Sequence, residues 1–294
     1  MSDSGGEPGP APTQPSRASK ILRRTKVGGG LAAVVAAVLY ASSFSFGGEL
    51  TLALGLLLTG WGAFEVRRMR LFPSAASAPA AMAGSLVAAG LMLTRGVGAV
   101  DLLVAAAAGL AVATLVAMAP GSGGERPSAA LPAAVILPVV ALPLLFLYPV
   151  RLGGGTAALA SFVGLAKVGD IAGYYFGNLL GRTHPFPRLS PGKTTEGCLA
   201  SLISGVLVAV LLTQLGFLGE PRLGWLSGAL FGAGVNLTAQ AGDLYESSLK
   251  RRAGVKDSGT TFGPSGGMLD LVDSFLFAAP LAALVGPLLF HWKV

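Results

Sequence analysis

Apolar stretches of about 20 residues recur along the chain, and they constrain its fold more than any other feature. A helix needs about 20 apolar residues to cross the hydrocarbon core of a bilayer. Because lipid offers no hydrogen-bond partners, a spanning segment must satisfy its own backbone, as a helix does. With 52% hydrophobic residues and a mean hydropathy of +0.68, the chain holds more apolar surface than one soluble core can bury. The sequence therefore predicts an all-α polytopic membrane protein.

The lengths of the apolar runs predict about nine transmembrane helices. The candidate spans are residues 27–42, 48–65, 76–94, 98–118, 129–149, 156–180, 198–218, 225–247 and 269–290. Residues 1–19 are dominated by Pro, Gly, Ser and Ala without apolar periodicity, so they predict a disordered tail. Residues 20–150 form the predicted N-terminal transmembrane region.

The distribution of positive charge predicts the orientation of these helices, because Lys and Arg flanking membrane spans stay on the cytoplasmic side. With a cytoplasmic N-terminus and a C-terminus on the opposite side, sixteen of the 21 Lys and Arg residues flank spans on the cytoplasmic side and four on the other. Lys167 lies within a span. The net charge of +7 therefore reports topology, with an added preference for anionic lipid, and it does not require a nucleic-acid partner.

One stretch, residues 242–273, concentrates charge of both signs between two apolar segments, although only 12% of the whole chain is charged. Carboxylates of this kind suit Mg²⁺, which proteins hold with one or two carboxylates plus substrate phosphates. The cations suit the phosphates themselves. The carboxylates are Asp243, Asp270 and Asp273, and the phosphate-binding cations are Lys250, Arg251 and Lys256.

The first of two charged loops in chain order, residues 181–197, contains the string GKT, and the stretch 242–273 holds the second loop. A P-loop needs a glycine five positions before the Gly of GKT, where this chain has Pro187, so the P-loop interpretation is excluded. What remains is a turn rich in Pro and Gly that offers phosphate oxygens a cation and hydroxyl groups. Its candidate residues are Ser190, Lys193, Thr194 and Glu196.

Polar residues within the spans are few, and burying them requires partners or a wet cavity. Lys167 and Asp170 lie three apart on one helical face, as either a structural ion pair or the wall of a polar cavity. Glu246 and a polar stripe share the span 225–247, and the stripe must face the bundle interior. The stripe consists of Asn236, Gln240, Asp243 and Ser247.

The sixth candidate span also carries a regular series of small residues. Its glycines recur at every fourth position, which places them on one helical face. Such a seam lets a neighbouring helix approach closely. The seam consists of Gly169, Gly173, Gly177 and Gly181.

The segment SSLKRRAGVKDSGTTFGPSGGMLDLVD, residues 247–273, resembles the signature of the phosphatidate cytidylyltransferases, or CDP-diacylglycerol synthases. That signature reads S-x-L-K-R, four residues, K-D-x-G and then H-G-G-x-x-D-R-x-D. Upstream, GDLYES, SPGKTTEG and DIAGYYFGNLLG are similar to further segments of the family in the same order. The resemblance covers about residues 165–275, while the first 150 residues match only as generic membrane spans.

The resemblance implies that the phosphate of phosphatidic acid attacks the α-phosphorus of CTP, releasing pyrophosphate and forming CDP-diacylglycerol. It implies Mg²⁺ held by Asp243 and Asp270, with a second cation left open. Residues 151–294 would then be a catalytic transmembrane region with two cytoplasmic active-site loops. The implied catalytic residues are Lys250, Arg251, Lys256, Asp257 and Asp273. The implied substrate-binding residues are Ser190, Lys193, Thr194, Glu196, Asp170, Glu246 and Ser247.

The partners that follow are CTP, phosphatidic acid and membrane lipids, with a homodimer left open and the plasma membrane of a bacterium as the location. The chain departs from the signature at two positions, where Ser265 replaces the His and Leu271 replaces the Arg. These departures leave open an alternative, a relative with weakened activity or with another lipid-phosphate substrate. A transporter would have little use for these charged loops outside the spans. A CDP-alcohol phosphotransferase would need D-G-x-x-A-R, which the sequence lacks.

Overall fold

The computed structural model describes residues 30, 33–69, 71, 77–118, 142–263 and 266–293, and this part of the chain is helical without strands. A single isolated bridge joins Pro221 to Phe290 within it. The helices are α1 (33–41), α2 (Gly47–Arg68), α3 (Ser77–Arg95), α4 (Ala99–Met118), a 3₁₀ turn (Leu142–Phe146), α5 (Leu147–Leu180), α6 (Thr195–Gln214), α7 (Trp225–Arg252), the short α8 (Leu269–Val272) and α9 (Phe275–Leu289).

Among the described residues, which are all-helical, five helical segments are long and apolar enough to cross a membrane, so the chain is an integral membrane protein. They are Gly47–Arg68, Ala99–Val116, Leu142–Leu180, Thr195–Gln214 and Leu269–Leu289. The predicted tail and most of the predicted span 129–149 lie outside the described residues. The number of nine spans and the orientation of the termini stay predictions.

Helix α5 is kinked near its start, and this kink separates the fifth and sixth predicted spans. Gly155 has a φ of 80°, a backbone conformation that glycine adopts at little cost. The predicted start of the sixth span at residue 156 therefore coincides with the kink, while helical structure already begins at Leu147. After the kink, α5 runs to Leu180, where the first polar loop begins.

The glycine seam of α5 packs against α6, as predicted for a seam of small residues. A Cβ at Gly177 would lie 2.9 Å from Thr194 Oγ1, and one at Gly173 would lie 3.3 Å from the carbonyl oxygen of Gly197. These distances leave no room for side chains, so the two helices touch through backbone.

The polar stripe of α7 faces the bundle interior, which confirms the second packing prediction. Asn236 is 1% exposed, and its Nδ2 donates to Ser201 Oγ of α6 at 3.0 Å. Gln240 Nε2 donates to Asn236 Oδ1 at 2.7 Å. Because buried amides need hydrogen-bond partners, this network fixes the rotation of α7 against α6.

Both charged loops lie at the same end of the helix bundle. Arg251 Nε donates to the carbonyl oxygen of Leu189 at 3.3 Å, and Lys193 Nζ lies 2.6 Å from Asp243 Oδ2. At the other end, Arg151 Nε donates to the carbonyl oxygen of Ser42. The structure thus confirms that the two loops share one end, and the assignment of that end to the cytoplasm stays a prediction.

The seam predicts opposite effects for two glycine substitutions on α5. A Cβ at Gly169 would overlap Asn236 Nδ2 and lie 2.8 Å from Ser201 Oγ, whereas a Cβ at Gly164 meets nothing within 4 Å. We expect Gly169→Ala to lower the unfolding free energy by about 1–3 kcal/mol through overpacking. Gly164→Ala, the matched control, should be neutral or stabilising by up to about 1 kcal/mol, because alanine favours helix. Thermal unfolding in detergent measures both, and equal effects would contradict close packing at the seam.

Candidate active site

Three carboxylates converge where α7 meets the turn between α8 and α9. Asp243, Glu246 and Asp273 each offer an oxygen within 4.8 Å of the other two. Asp243 and Glu246 are three residues apart and therefore share a face of α7. Asp273 follows α8 directly, and its Oδ1 accepts a hydrogen bond from the backbone N–H of Ser274 at 2.6 Å. Ser247 Oγ donates to Asp243 Oδ1 at 3.4 Å.

Three lysines from different elements adjoin these carboxylates. Lys193, from the first loop, lies 2.6 Å from Asp243 Oδ2. Lys250, one turn after Glu246 on α7, lies 2.5 Å from Glu246 Oε2. Lys167 of α5 donates to Ser274 Oγ at 2.9 Å and to the carbonyl oxygen of Leu271 at 3.1 Å. The site therefore alternates negative and positive charge, an arrangement that can accept both a metal ion and phosphate groups.

The ion pair predicted between Lys167 and Asp170 is present. The two side chains have an N–O distance of 3.7 Å, and each side chain is about 40% exposed. Lys167 simultaneously bonds the turn that carries Asp273. Lys167 therefore lies beside the carboxylate cluster, and the role of the pair as the wall of a polar cavity stays a prediction.

Asp270, predicted as a metal ligand, is held in a dense network of hydrogen bonds. Its Oδ1 accepts from Lys250 Nζ at 2.7 Å. Its Oδ2 accepts from the backbone N–H groups of Ser258 and Gly267 at 2.8 and 2.7 Å, and Ser258 Oγ lies 2.8 Å away. Asp270 thereby ties the loop after α7 to Lys250. Its role as a metal ligand stays a prediction.

Glu246 is the group at this site that most needs a further partner. The residue is fully buried, and among the described residues Lys250 is its one ion-pair partner. Neither carboxylate oxygen accepts a hydrogen bond of acceptable geometry there. Because a buried carboxylate without such bonds is costly, an added cation would stabilise it. The carboxylate oxygens here are the hard ligands that Mg²⁺ prefers, so the residues present fit this ion.

Two residues of the first loop shape the loop itself. Thr194 caps α6, since its Oγ1 accepts the N–H of Gly197 at 3.1 Å. Glu196 Oε2 accepts the backbone N–H of Arg182 at 3.2 Å. Together these bonds fold residues 181–194 back on the helix start and leave Lys193 pointing at Asp243. Ser190 is half-buried in the same loop, and its carbonyl oxygen accepts the N–H of Lys193 at 3.1 Å.

The predicted phosphate cations are placed differently from one another. Lys250 is part-buried within the site, and Arg251 is exposed and bridges to the first loop. Lys256 and Asp257 are exposed and make no ion pair or hydrogen bond within the described ranges. Ser265 lies outside those ranges. Exposed cations on this loop remain free to contact a nucleotide that enters from water.

Sequence reasoning missed Glu65 of α2, which is 2% exposed and hydrogen-bonded to the loop before α8. It was assigned to the end of a generic apolar span. The available signal was an acidic residue two positions before Arg67, inside the apolar run rather than beyond it.

The low exposure of the Lys250 side chain predicts a large effect of removing its charge. Lys250→Met leaves the buried Glu246 and the part-buried Asp270 without their cation, so we expect the unfolding free energy to fall by about 3 kcal/mol. Arg252→Met removes a cation from the same helix end, where the side chain is exposed, and should change stability by less than about 0.5 kcal/mol. Thermal unfolding of both variants in detergent checks the difference. A Lys250 variant as stable as wild type would mean that the two carboxylates do not depend on this cation.

Comparison with known proteins agrees with this geometry. The model of the cytidylyltransferase family matches residues 22–289. A phosphatidate cytidylyltransferase of Helicobacter pylori strain J99 is 42% identical over 125 residues, or 42% of this chain and 45% of the relative. One from a Synechocystis species is 43% identical over 116 residues, covering 38% and 37%. The Escherichia coli protein YnbB, named as uncharacterized, is 37% identical over 138 residues, covering 47% and 45%.

The aligned regions thus span less than half the length of these three relatives. The family match, by contrast, runs from before α1 to the last residue of α9. It therefore includes both charged loops and every element that contributes a side chain to the site. The chain belongs to the cytidylyltransferase family.

Proposed function

We propose that this protein transfers the cytidylyl group of CTP to phosphatidic acid, forming CDP-diacylglycerol and pyrophosphate. The observation that carries the proposal is the cluster of Asp243, Glu246 and Asp273 beside Lys193, Lys250 and Lys167 at one end of an apolar bundle. Family membership and the names of the related phosphatidate cytidylyltransferases support the same reaction. The partners are CTP, phosphatidic acid and the surrounding lipid, with a homodimer still open.

A magnesium ion fits the carboxylate cluster. We favour Asp243, Glu246 and Asp273 as its ligands. The oxygens of Asp270 already accept hydrogen bonds from Lys250, Ser258 and Gly267. When bound, the ion would neutralise phosphate charge and orient CTP. The sequence-based pair of Asp243 and Asp270 remains the competing assignment, and a second cation remains open.

The residues of the chain can supply the rest of the chemistry by positioning and charge. The phosphate of the lipid is already an ionised nucleophile at neutral pH, so no Ser or His nucleophile is required. Lys193 and Lys167 enter the site from two different elements and can hold the nucleotide phosphates and the lipid phosphate at a fixed separation. Lys250 stabilises the negative charge that develops on the departing pyrophosphate.

The location of the site suits substrates that arrive from two phases. The charged loops lie at the bundle end to which the positive-inside rule assigns the cytoplasm, where CTP is dissolved. An open apolar recess of about 470 Å³ lies beside the second loop, lined by residues that include Leu57, Trp61, Met82 and Thr261. A lipid tail can lie in such a recess while its phosphate reaches the site. The plasma membrane of a bacterium is the location we propose.

One observation favours a second candidate, a relative with weakened activity or a different lipid-phosphate substrate. Leu271 stands where the family signature has Arg, and its side chain packs against the hydrophobic core. The site therefore lacks a cation that the signature supplies. Losing one charge-assisted contact to phosphate costs about 1.5–3 kcal/mol.

An assay across lipid phosphates separates the two candidates. Purified protein in nanodiscs is given CTP, Mg²⁺ and either phosphatidic acid, lysophosphatidic acid or an isoprenoid phosphate. We expect pyrophosphate release and a CDP-lipid with phosphatidic acid, and loss of product when EDTA removes the metal. Preference for another lipid phosphate would establish the second candidate, and no product with any of them would overturn both.

Substitution of the carboxylates identifies the metal ligands. We expect Asp243→Asn and Asp273→Asn each to lower kcat by at least about 100-fold. The double variant should be no slower than the slower of the two single variants, since ligands of one ion act as a unit. Asp101→Asn at the opposite end, where Asp101 pairs with Arg95, is the control.

Asp270→Asn decides between the two candidate sets of metal ligands, one with Asp270 and one without it. A raised Mg²⁺ requirement makes Asp270 a ligand, whereas lost activity at an unchanged requirement gives it a positioning role.

A further inference from the structure

Glu65 is a buried carboxylate in the last turn of α2, and its side-chain partners among the described residues lie between Ser258 and Leu269. Oε1 accepts the N–H of Met268 at 2.8 Å, and Oε2 accepts the N–H of Leu269 at 2.9 Å. Ser258 Oγ lies 2.8 Å from Oε2. These partners are at least 193 residues away in sequence. A transmembrane helix of the N-terminal region therefore holds the loop that follows α7 at Ser258 and again where the loop meets α8.

Ser258 connects Glu65 to the charged site. Its Oγ lies 2.8 Å from both Glu65 Oε2 and Asp270 Oδ2, so its single proton is donated to one carboxylate at a time. Asp270 in turn accepts from Lys250, which adjoins Glu246. A continuous series of contacts thus runs from α2 to the carboxylate cluster.

The shape of the loop is also fitted to a carboxylate at position 65. A Cβ at Gly267 would lie 2.5 Å from both oxygens of Glu65, and a Cβ at Gly259 would lie 3.0 Å from Oε1. One turn before Glu65, the ring of Trp61 stacks on Phe262 with 6.1 Å between centroids. The loop therefore contacts α2 through backbone and ring as well as through hydrogen bonds.

We infer that Glu65 is a positioning residue for the proposed cytidylyl transfer. By fixing residues 258–269, it sets the place of Asp270, and Asp270 sets the place of Lys250 beside Glu246. Because Glu65 acts through the loop, its loss should change turnover more than substrate binding. The inference rests on the proposed function for its kinetic consequence, while the contact with the loop can be tested without any activity.

The kinetic test compares Glu65→Gln with Ser258→Ala. The amide keeps the size of the side chain but replaces one acceptor oxygen with a donor. We expect each variant to lower kcat about tenfold, the factor that corresponds to loss of about one charge-assisted hydrogen bond, with little change in KM for CTP. The double variant should lose less activity than the product of the two single losses, because the hydrogen bond between Ser258 and Glu65 is shared by both side chains. Glu49→Gln, at the exposed start of α2, is the matched control.

Limited proteolysis provides the readout that does not depend on activity. Lys256 is exposed in the loop and offers trypsin a cleavage site. We expect Glu65→Gln to speed cleavage after Lys256 about tenfold while the thermal midpoint falls by only about 2–4 °C, since the loop opens locally more often. Unchanged cleavage, or losses of kcat that multiply in the double variant, would overturn the inference. If wild type shows no transfer at all, the proposed function fails, and the cleavage rates still decide whether Glu65 holds the loop.

Discussion

The cost of burying charge next to a bilayer governs the organisation of this protein. Glu246 is fully buried, yet it lies in a helix end that also carries Asp243 and Lys250. Isolated charges in such surroundings are strongly disfavoured, and pairing makes them tolerable. The helix ends and the two loops are arranged so that Asp243, Glu246 and Asp270 each meet a lysine, while Asp273 accepts a backbone N–H group. The same alternation of charge that keeps the fold stable also supplies the groups that phosphate transfer requires.

The site is built on elements of different rigidity. The helices α5, α6 and α7 touch through glycine backbone and buried amides, so their relative positions are fixed closely. The loop between α7 and α8 has no regular secondary structure over most of its length, and hydrogen bonds to Asp270 and Glu65 give it its shape. Precise placement of Lys250 therefore depends on contacts far from it in sequence.

Much of the architecture could be predicted from the sequence, because helix periodicity and apolar length follow directly from local chemistry. The glycine seam and the polar stripe both led to correct packing predictions, since residues that are three or four positions apart lie on one face of a helix. The convergence of the two loops at one end was also correct.

Partners between distant elements could not be predicted in this way. Nothing local in the sequence pairs Glu65 with Met268, and nothing distinguishes Asp273, which joins Asp243, from Asp270, which bonds Lys250. Thr194 and Glu196 bond the backbone of their own loop, a contact that the sequence did not predict, and their role in substrate binding stays a prediction. Hydroxyl and carboxylate groups serve both purposes, so residue type alone does not separate them.

The separation of Glu65 from its partners has a consequence for biosynthesis. Contacts between α5 and α6, and between α6 and α7, join neighbours in the chain, so they can form early as each hairpin enters the membrane. The bonds of Glu65 to Met268 and Leu269 close loops of 203 and 204 residues. Until the ribosome has delivered those residues, α2 carries a carboxylate whose partners do not yet exist. The contacts that place the loop before α8 can therefore form only after residues 268 and 269 have been synthesised.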